Sequence, residues 1–180
     1  GRTFQESFQK ALRGLEIGVD GLVEFSEDKD EIVKELRECG PNRIWFVGDA
    51  FRAQLTVDEI FQHSKIDPWF LYQIKDLIEQ ESLVKKKAFK GLDSGFLREL
   101  KKSGFSDSRI AKLAGTDESS VRKLRYDHNI RPVYKRVDTC AAEFETKTAY
   151  LYSTYEEYCE SEPTTNKKII ILGGGPNRIG

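Results

Sequence analysis

Residues 104–144 read GFSDSRIAKLAGTDESSVRKLRYDHNIRPVYKRVDTCAAEF, and this stretch decides how the chain folds. Its first half predicts two short helices, one over residues 108–114 and one from residue 117 to about residue 127. Gly115 accepts the left-handed conformation that a tight turn between them requires, and Thr116 can cap the second helix. The stretch therefore predicts a compact helical corner, followed by a segment of another kind.

Three residues of this corner, Ala111, Gly115 and Val121, stand at the spacing familiar from helix-turn-helix DNA-binding proteins. The small residue lets the two helices approach closely, the glycine makes the turn, and the β-branched residue fills the gap. A helical corner requires the same residues whether or not it binds DNA. The spacing alone therefore leaves both a DNA-binding and a packing interpretation open.

The charges at the start of the second helix bear on this choice. Helix-turn-helix proteins use the first residues of that helix to contact bases, close to the phosphate groups. Here these residues include Asp117 and Glu118. Their negative charge is balanced only in part by Arg122, Lys123 and Arg125. The formal net charge of −1 also disfavours a general polyanion-binding protein. We therefore favour packing and keep a helix-turn-helix DNA-binding regulator as the alternative.

Upstream of the corner, the sequence predicts a longer helix from residue 68 to about residue 84. It starts at Asp67-Pro68, an acidic N-cap followed by proline at the first helical position. Trp69 and Tyr72 project away from the apolar stripe of this helix, so they either pack on another helix or contact a partner. We predict these two as interface residues. The stripe itself consists of Phe70, Leu71, Ile74, Leu77 and Ile78.

Other helices are predicted before and after this one. Capping-box patterns place helix starts at Thr3 and Thr56. Apolar residues at helical spacing favour a helix rather than a strand over residues 44–52, and another helix follows Asp93 or Ser94. The chain is therefore predicted to be built mainly from short helices.

The C-terminal part has a different character. Residues 132–144 and 150–155 are predicted to be extended, because the first is proline-marked and mixed in polarity and the second partly alternates. Residues 169–172 form an apolar run typical of buried parallel strands, and residues 173–180 form a glycine-rich turn. We therefore predict a mainly α fold: an irregular helical domain with a helix-turn-helix-like corner, short extended segments near the C-terminus, and a truncated first strand of an α/β domain at the end.

The composition is that of a globular protein. The chain has 180 residues, of which 38% are hydrophobic and 33% charged, and no apolar run approaches the length of a membrane span. Its three cysteines are widely separated, no CxxC pair occurs, and neither histidine lies near a cysteine in sequence. We therefore expect reduced thiols in a cytoplasmic protein, without a zinc site or a membrane partner.

Five runs together resemble the large subunit of carbamoyl-phosphate synthetase, and the resemblance covers essentially the whole chain. They are GRTFQESFQKALRGLE at 1–16, FSDSRIAKLAG at 105–115, PVYKRVDTCAAEF at 132–144, AYLYSTYEE at 149–157 and ILGGGPNRIG at 171–180. The resemblance implies that residues 1–17 end a carboxyphosphate synthetic ATP-grasp domain, that residues 18–167 form a helical oligomerisation domain, and that residues 168–180 begin a truncated carbamoyl-phosphate synthetic domain. The helical corner then becomes a packing motif.

The resemblance also implies a role. The chain would be a non-catalytic connector of a glutamine-hydrolysing, ATP-dependent ligase, which makes carbamoyl phosphate from bicarbonate, glutamine-derived ammonia and two ATP for arginine and pyrimidine biosynthesis. In that family ATP and its Mg or Mn ions bind in the flanking halves, so no catalytic, cofactor-binding or metal-binding residue is assigned here. The implied partners are other large subunits, the glutaminase small subunit and the flanking synthetase domains, with no nucleic acid.

Overall fold

The computed structural model describes residues 1–145 and 148–171. In these residues eight α-helices precede one two-stranded antiparallel sheet, which confirms the mainly α fold. The helices are α1 (Phe4–Gly14), α2 (Lys29–Arg37), α3 (Arg43–Arg52), α4 (Val57–Ser64), α5 (Pro68–Lys87), α6 (Ser94–Lys102), α7 (Asp107–Ala114) and α8 (Glu118–Asp127). A short 3-10 turn, Phe89–Gly91, joins α5 to α6. The strands are β1 (Val133–Arg136) and β2 (Leu151–Thr154).

Helix α5 lies at the centre of the fold. It is the longest helix, and it contacts α1, α3, α4 and α7. Its inward stripe consists of Leu71, Ile74, Leu77, Ile78 and Val84, all of which are buried. Burying such aliphatic side chains contributes roughly 1.5–3 kcal/mol each. Helices α1, α3, α4 and α7 therefore owe much of their stability to contact with α5.

Side-chain caps begin most helices as predicted. Thr3 accepts a hydrogen bond from the backbone of Glu6, Asp67 caps α5, and Thr56 with Glu59 forms a reciprocal capping box at α4. The predicted cap of α8 was wrong by one residue. Asp117, not Thr116, has the extended backbone and accepts from the next turn, because its carboxylate is the group within reach of that turn's N–H groups.

The tertiary structure corrects the apolar stripe of α5 at one position. Phe70 is 44% exposed, although the helical period placed it with the core residues. It lies in the first turn of α5, and its ring packs against Trp69 and Phe4 instead of against the core. Periodicity identifies which face of a helix is apolar, but it does not say how far the core extends along that face.

Helix α1 buries polar as well as apolar groups. Glu6, Gln9 and Leu12 are buried, and Phe4 and Phe8 pack against the core at its edge. Gln9 Nε2 donates to the carbonyl of Ser103 at 2.9 Å. Helix α1 therefore packs against the turn that ends α6 as well as against α5.

Gly104 lies within this turn, with φ of +89°, and it approaches the backbone of α1 closely. A Cβ atom at Gly104 would lie 2.8 Å from the Cα of Glu6. Only glycine accommodates both the positive φ and this approach.

The two extended segments pair with each other. Val133 lies opposite Thr154 and Arg136 opposite Leu151, in antiparallel register. The sheet contacts the helical part through Thr154, which is buried, and through Ser153, whose carbonyl accepts a hydrogen bond from Lys10. The hairpin therefore packs across α1 and does not extend freely from the helices.

The apolar run near the C-terminus does not form a strand in residues 169–171, which are the part of it that the structure describes. All three isoleucines are more than 80% exposed. A parallel strand requires a neighbouring strand to pair with, and none lies beside it in residues 1–145 and 148–171. Leu172 and the predicted glycine-rich turn over residues 173–180 lie outside the described residues.

Candidate interaction surface

An aromatic cluster with two exposed members, Trp69 and Phe70, and one half-buried member, Phe4, lies where α1 and α5 begin. Phe4, Trp69 and Phe70 form it, and we call it the aromatic patch. The Phe4 and Trp69 ring centroids are 5.4 Å apart at 78°, and those of Trp69 and Phe70 are 5.0 Å apart at 88°. Edge-to-face pairs of this kind contribute roughly 0.5–1.5 kcal/mol beyond area burial. The patch is therefore held rigidly, although Trp69 remains 53% exposed.

The next turns of α5 continue this outward side. Tyr72 is 56% exposed and Leu83 46% exposed, and Lys75 and Glu79, which lie between them on this side, are exposed as well. This side forms one wall of an open cleft of about 1400 Å³, whose opposite wall is the connection between α3 and α4. Both predicted interface residues, Trp69 and Tyr72, are thus exposed on one side of α5. Their role in an interface stays a prediction.

Beneath this surface, two arginines share one buried carboxylate. Arg109 Nε donates to Glu81 Oε1 at 2.8 Å, and Arg52 Nη2 donates to Glu81 Oε2 at 2.7 Å. The three residues come from α7, α5 and α3. Sequence reasoning missed Glu81, although its position was informative: it stands on the inward stripe of α5, between Ile78 and Val84. A lone acid on an apolar stripe predicts a buried cation opposite it.

The loop before α2 is held by the same group of charges. Arg109 Nη2 donates to the carbonyl of Leu22 at 2.8 Å and to Glu24 at 3.2 Å. Burial alone would raise the pKa of the Glu24 carboxyl, but the adjacent Arg109 guanidinium and the Lys85 ammonium outweigh it and lower the pKa to about 2. Asp49 accepts from two backbone N–H groups of this loop, at 2.9 and 3.0 Å.

A second buried cluster joins α6, α7 and α8. Asp107 accepts from Lys101 at 2.8 Å and from Arg125 at 3.0 Å, and all three side chains are less than 10% exposed. Burial would raise the pKa of Asp107, but the hydrogen bond from Arg125 and the charge of Lys101 outweigh it and lower that pKa. The ring of Tyr155 covers the cluster, 5.2 Å from the Lys101 ammonium. The cluster therefore fixes the segment that follows β2 onto the helices.

The same cluster weakens the DNA-binding interpretation of the helical corner. The corner has the predicted geometry, with Gly115 left-handed at φ +70°. However, Arg125 points into the buried cluster, Arg122 is paired with Glu118, and Lys123 lies 2.7 Å from Asp127. The three basic residues that would offset the acids of α8 are thus engaged with carboxylates. Acidic residues therefore balance the basic charge of α8, and Arg125 is buried, which favours the packing interpretation of the corner.

No group of three or more histidine, cysteine or acidic residues within 1–145 and 148–171 is arranged to hold a metal ion. Cys39, Cys140 and Cys159 are free, and Cys140 is half-buried. None of the helices in this part of the chain is long and apolar enough to cross a membrane.

Comparison with known proteins gives one consistent result. The family model described as carbamoyl-phosphate synthetase large chain, oligomerisation domain, matches residues 1–129. Curated relatives named carbamoyl phosphate synthase large chain are 60% identical over 183 residues in Ralstonia nicotianae, 60% identical over 180 residues in Haemophilus ducreyi and 55% identical over 185 residues in Vibrio cholerae. Each match covers 100% of this chain and 17% of the relative.

Proposed function

The chain belongs to the family of carbamoyl-phosphate synthetase large-chain oligomerisation domains, and we propose that it joins copies of the large chain to one another. One observation carries the proposal: Trp69 and Tyr72 are more than half exposed on a helix whose inward side builds the core. Large aromatic side chains exposed side by side are enriched at protein–protein interfaces. We therefore propose Trp69 and Tyr72 as residues of the association surface.

Sedimentation velocity over a concentration series tests this proposal. The wild-type chain is expected to sediment faster as its concentration rises. Trp69→Ala and Tyr72→Ala should each move this transition to roughly tenfold higher concentration, which corresponds to a loss of about 1.4 kcal/mol. Tyr158→Ala is the matched control, because Tyr158 is a 74% exposed aromatic residue of the C-terminal segment and does not belong to α5. A wild-type chain that stays monomeric at every concentration would overturn the proposal.

The names of the relatives support a parent protein that is a carbamoyl phosphate synthase, and we propose that it is a glutamine-hydrolysing, ATP-dependent ligase. Its product would be carbamoyl phosphate for arginine and pyrimidine biosynthesis, with ATP and Mg or Mn bound outside this chain. The glutaminase small subunit would be a further partner, and the location would be cytoplasmic.

We propose that the present chain is inactive by itself. Calorimetric titration with ATP should give no binding heat at micromolar concentration, and a micromolar dissociation constant would contradict this.

We also propose that residues 18–167 connect the two synthetase halves, with residues 1–17 and 168–180 belonging to those halves. The contact between α1 and the hairpin supports a fixed junction between residues 1–17 and this connector. Lys10 lies 2.7 Å from Glu6 and donates to the carbonyl of Ser153, so segments 143 residues apart in sequence are in direct contact. Limited proteolysis with mass spectrometry should cut after residue 155 before it cuts within α1. Earlier cleavage within α1 would contradict a fixed junction.

A further inference from the structure

Strand β1 has an outer edge, which is turned away from β2. Just beyond β1, the backbone N–H of Val137 donates to the carbonyl of Tyr150 at 2.9 Å, in the same antiparallel register as the strands. Backbone groups alternate in direction along such a strand, so those of Tyr134 and Arg136 point outward. An edge of this kind offers N–H and C=O groups to any other extended chain.

Residues 159–161, which we call the strap, lie along this outer edge. The N–H of Tyr134 donates to Cys159 Sγ at 3.4 Å, and the Tyr134 carbonyl accepts from the N–H of Glu160 at 2.7 Å. The N–H of Arg136 donates to Glu160 Oε2 at 2.8 Å. One backbone group and two side-chain groups of the strap thus take the places that the backbone of a third strand would take.

Glu160 makes the strongest contact of the strap. Its Oε1 accepts from the Lys135 ammonium at 2.9 Å while its Oε2 accepts from the backbone of Arg136. The hydrogen bonds from Lys135 and Arg136 lower the pKa of the Glu160 carboxyl, so it is ionised at neutral pH. Hydrogen bonds to a carboxylate are stronger than neutral ones, whereas the sulfur of Cys159 is a weak acceptor. We therefore expect the strap to depend mainly on Glu160.

The opposite edge of the sheet, on β2, is covered as well. Ser153 lies opposite Tyr134, so its carbonyl points away from β1, and it accepts a hydrogen bond from Lys10 of α1. Groups of the same chain therefore engage both edges of this two-stranded sheet.

We propose that the strap guards the outer edge of β1. It holds the position of a third strand and prevents the edge from pairing with an extended segment of another molecule. The need for a guard follows from β1 itself, because Val133 and Tyr134 are residues with high strand propensity and Tyr134 is 46% exposed. This inference goes beyond the proposed self-association and does not depend on it.

Amide hydrogen exchange followed by NMR tests the strap residue by residue. In Glu160→Ala, the amides of Tyr134 and Arg136 should exchange roughly fivefold faster than in the wild type, because the strap then opens more often. The amides of Lys135 and Val137 face β2 and should keep the wild-type rate. A change confined to the outward amides is an effect that general destabilisation of the sheet would not produce.

A second measurement tests the guarding role. Thioflavin T fluorescence during incubation at 37 °C reports the pairing of strands from different molecules. The signal should rise earlier in Glu160→Ala than in the wild type. Glu157→Ala is the matched control, because Glu157 is also exposed and its replacement removes the same charge from the same segment. It should behave like the wild type in both measurements, and circular dichroism checks that each variant is folded.

The outcomes separate the inference from the proposed function. Wild-type exchange at Tyr134 and Arg136 in Glu160→Ala would refute the strap. Faster exchange without an earlier thioflavin T signal would refute its guarding role. Neither result bears on self-association, which sedimentation of the wild type and of Trp69→Ala tests separately.

Discussion

Replacing Glu81 with leucine removes the carboxylate that two guanidinium groups share beneath the surface of α5. The Glu81 side chain is 3% exposed, that of Arg109 is 4% exposed and that of Arg52 is 17% exposed. Leucine has a similar volume and fits the apolar stripe of α5 between Ile78 and Val84, so the substitution leaves no large cavity. Its main effect is to leave buried positive charge without a counterion.

The expected loss of stability follows from that unpaired charge. Removing one partner of a buried ion pair costs about 3–5 kcal/mol, because the remaining charge stays desolvated. Arg109 keeps the carbonyl of Leu22 and the half-exposed Glu24 as acceptors, and Arg52 keeps Asp49, so the lower half of this range is expected. For a chain of this size each kcal/mol shifts Tm by about 2–4 °C. Glu81→Leu should therefore lower Tm by roughly 6–16 °C.

Urea unfolding at 25 °C and pH 7, followed by circular dichroism, measures the loss in free energy of unfolding. The loss is read from the shift in the urea midpoint, provided that the m-value is unchanged. Glu118→Gln is the control, because Glu118 also pairs with an arginine, four residues along α8, but is 48% exposed. Its expected cost is below about 1 kcal/mol. Glu81→Gln keeps one oxygen acceptor and should fall between the two. If Glu81→Leu cost no more than Glu118→Gln, the argument that burial makes this carboxylate essential would be wrong.

Three further outcomes are expected from urea unfolding. The pKa of Glu24 is lowered from 4.5 to about 2, so its stabilisation is complete above pH 4.5 and is lost as the pH falls towards 2. The midpoint of the wild type should therefore fall more steeply over this range than that of Glu24→Gln, and parallel curves would contradict the pairing with Arg109. Gly104→Ala should cost more than about 1 kcal/mol, since its φ is +89° and the added Cβ meets α1; a neutral effect would show that α1 moves aside easily. Asp117→Ala should lower the urea midpoint and Thr116→Ala should change it less, and the reverse order would restore Thr116 as the cap of α8.

The helices and their starts could be predicted because their causes are local. Thr56 caps α4 through a glutamate three residues later, and Asp67-Pro68 begins α5 through groups of its own first turn. The cap of α8 was missed because Thr116 and Asp117 are adjacent and both are capable caps. The cap is the last residue with an extended backbone before the helix begins. A sequence pattern does not place that boundary to within one residue.

The candidate surface was predicted only in part. The exposure of Trp69 and Tyr72 follows from helical periodicity, because both project from the side of α5 opposite its apolar stripe. Phe70 was assigned to the core, since periodicity carries no information on where the neighbouring helices end.

The sequence by itself determined the helical class, the family and the outward side of α5, because these depend on residues within a few turns of one another or on whole motifs. Only the tertiary structure decided that Arg109 and Glu81, which are 28 residues apart, meet inside the protein, and that Arg125 turns inward to Asp107. Whether a charged side chain lies on the surface or in a buried pair depends on what the fold brings opposite it. That partner comes from a distant part of the chain, so no local pattern specifies it.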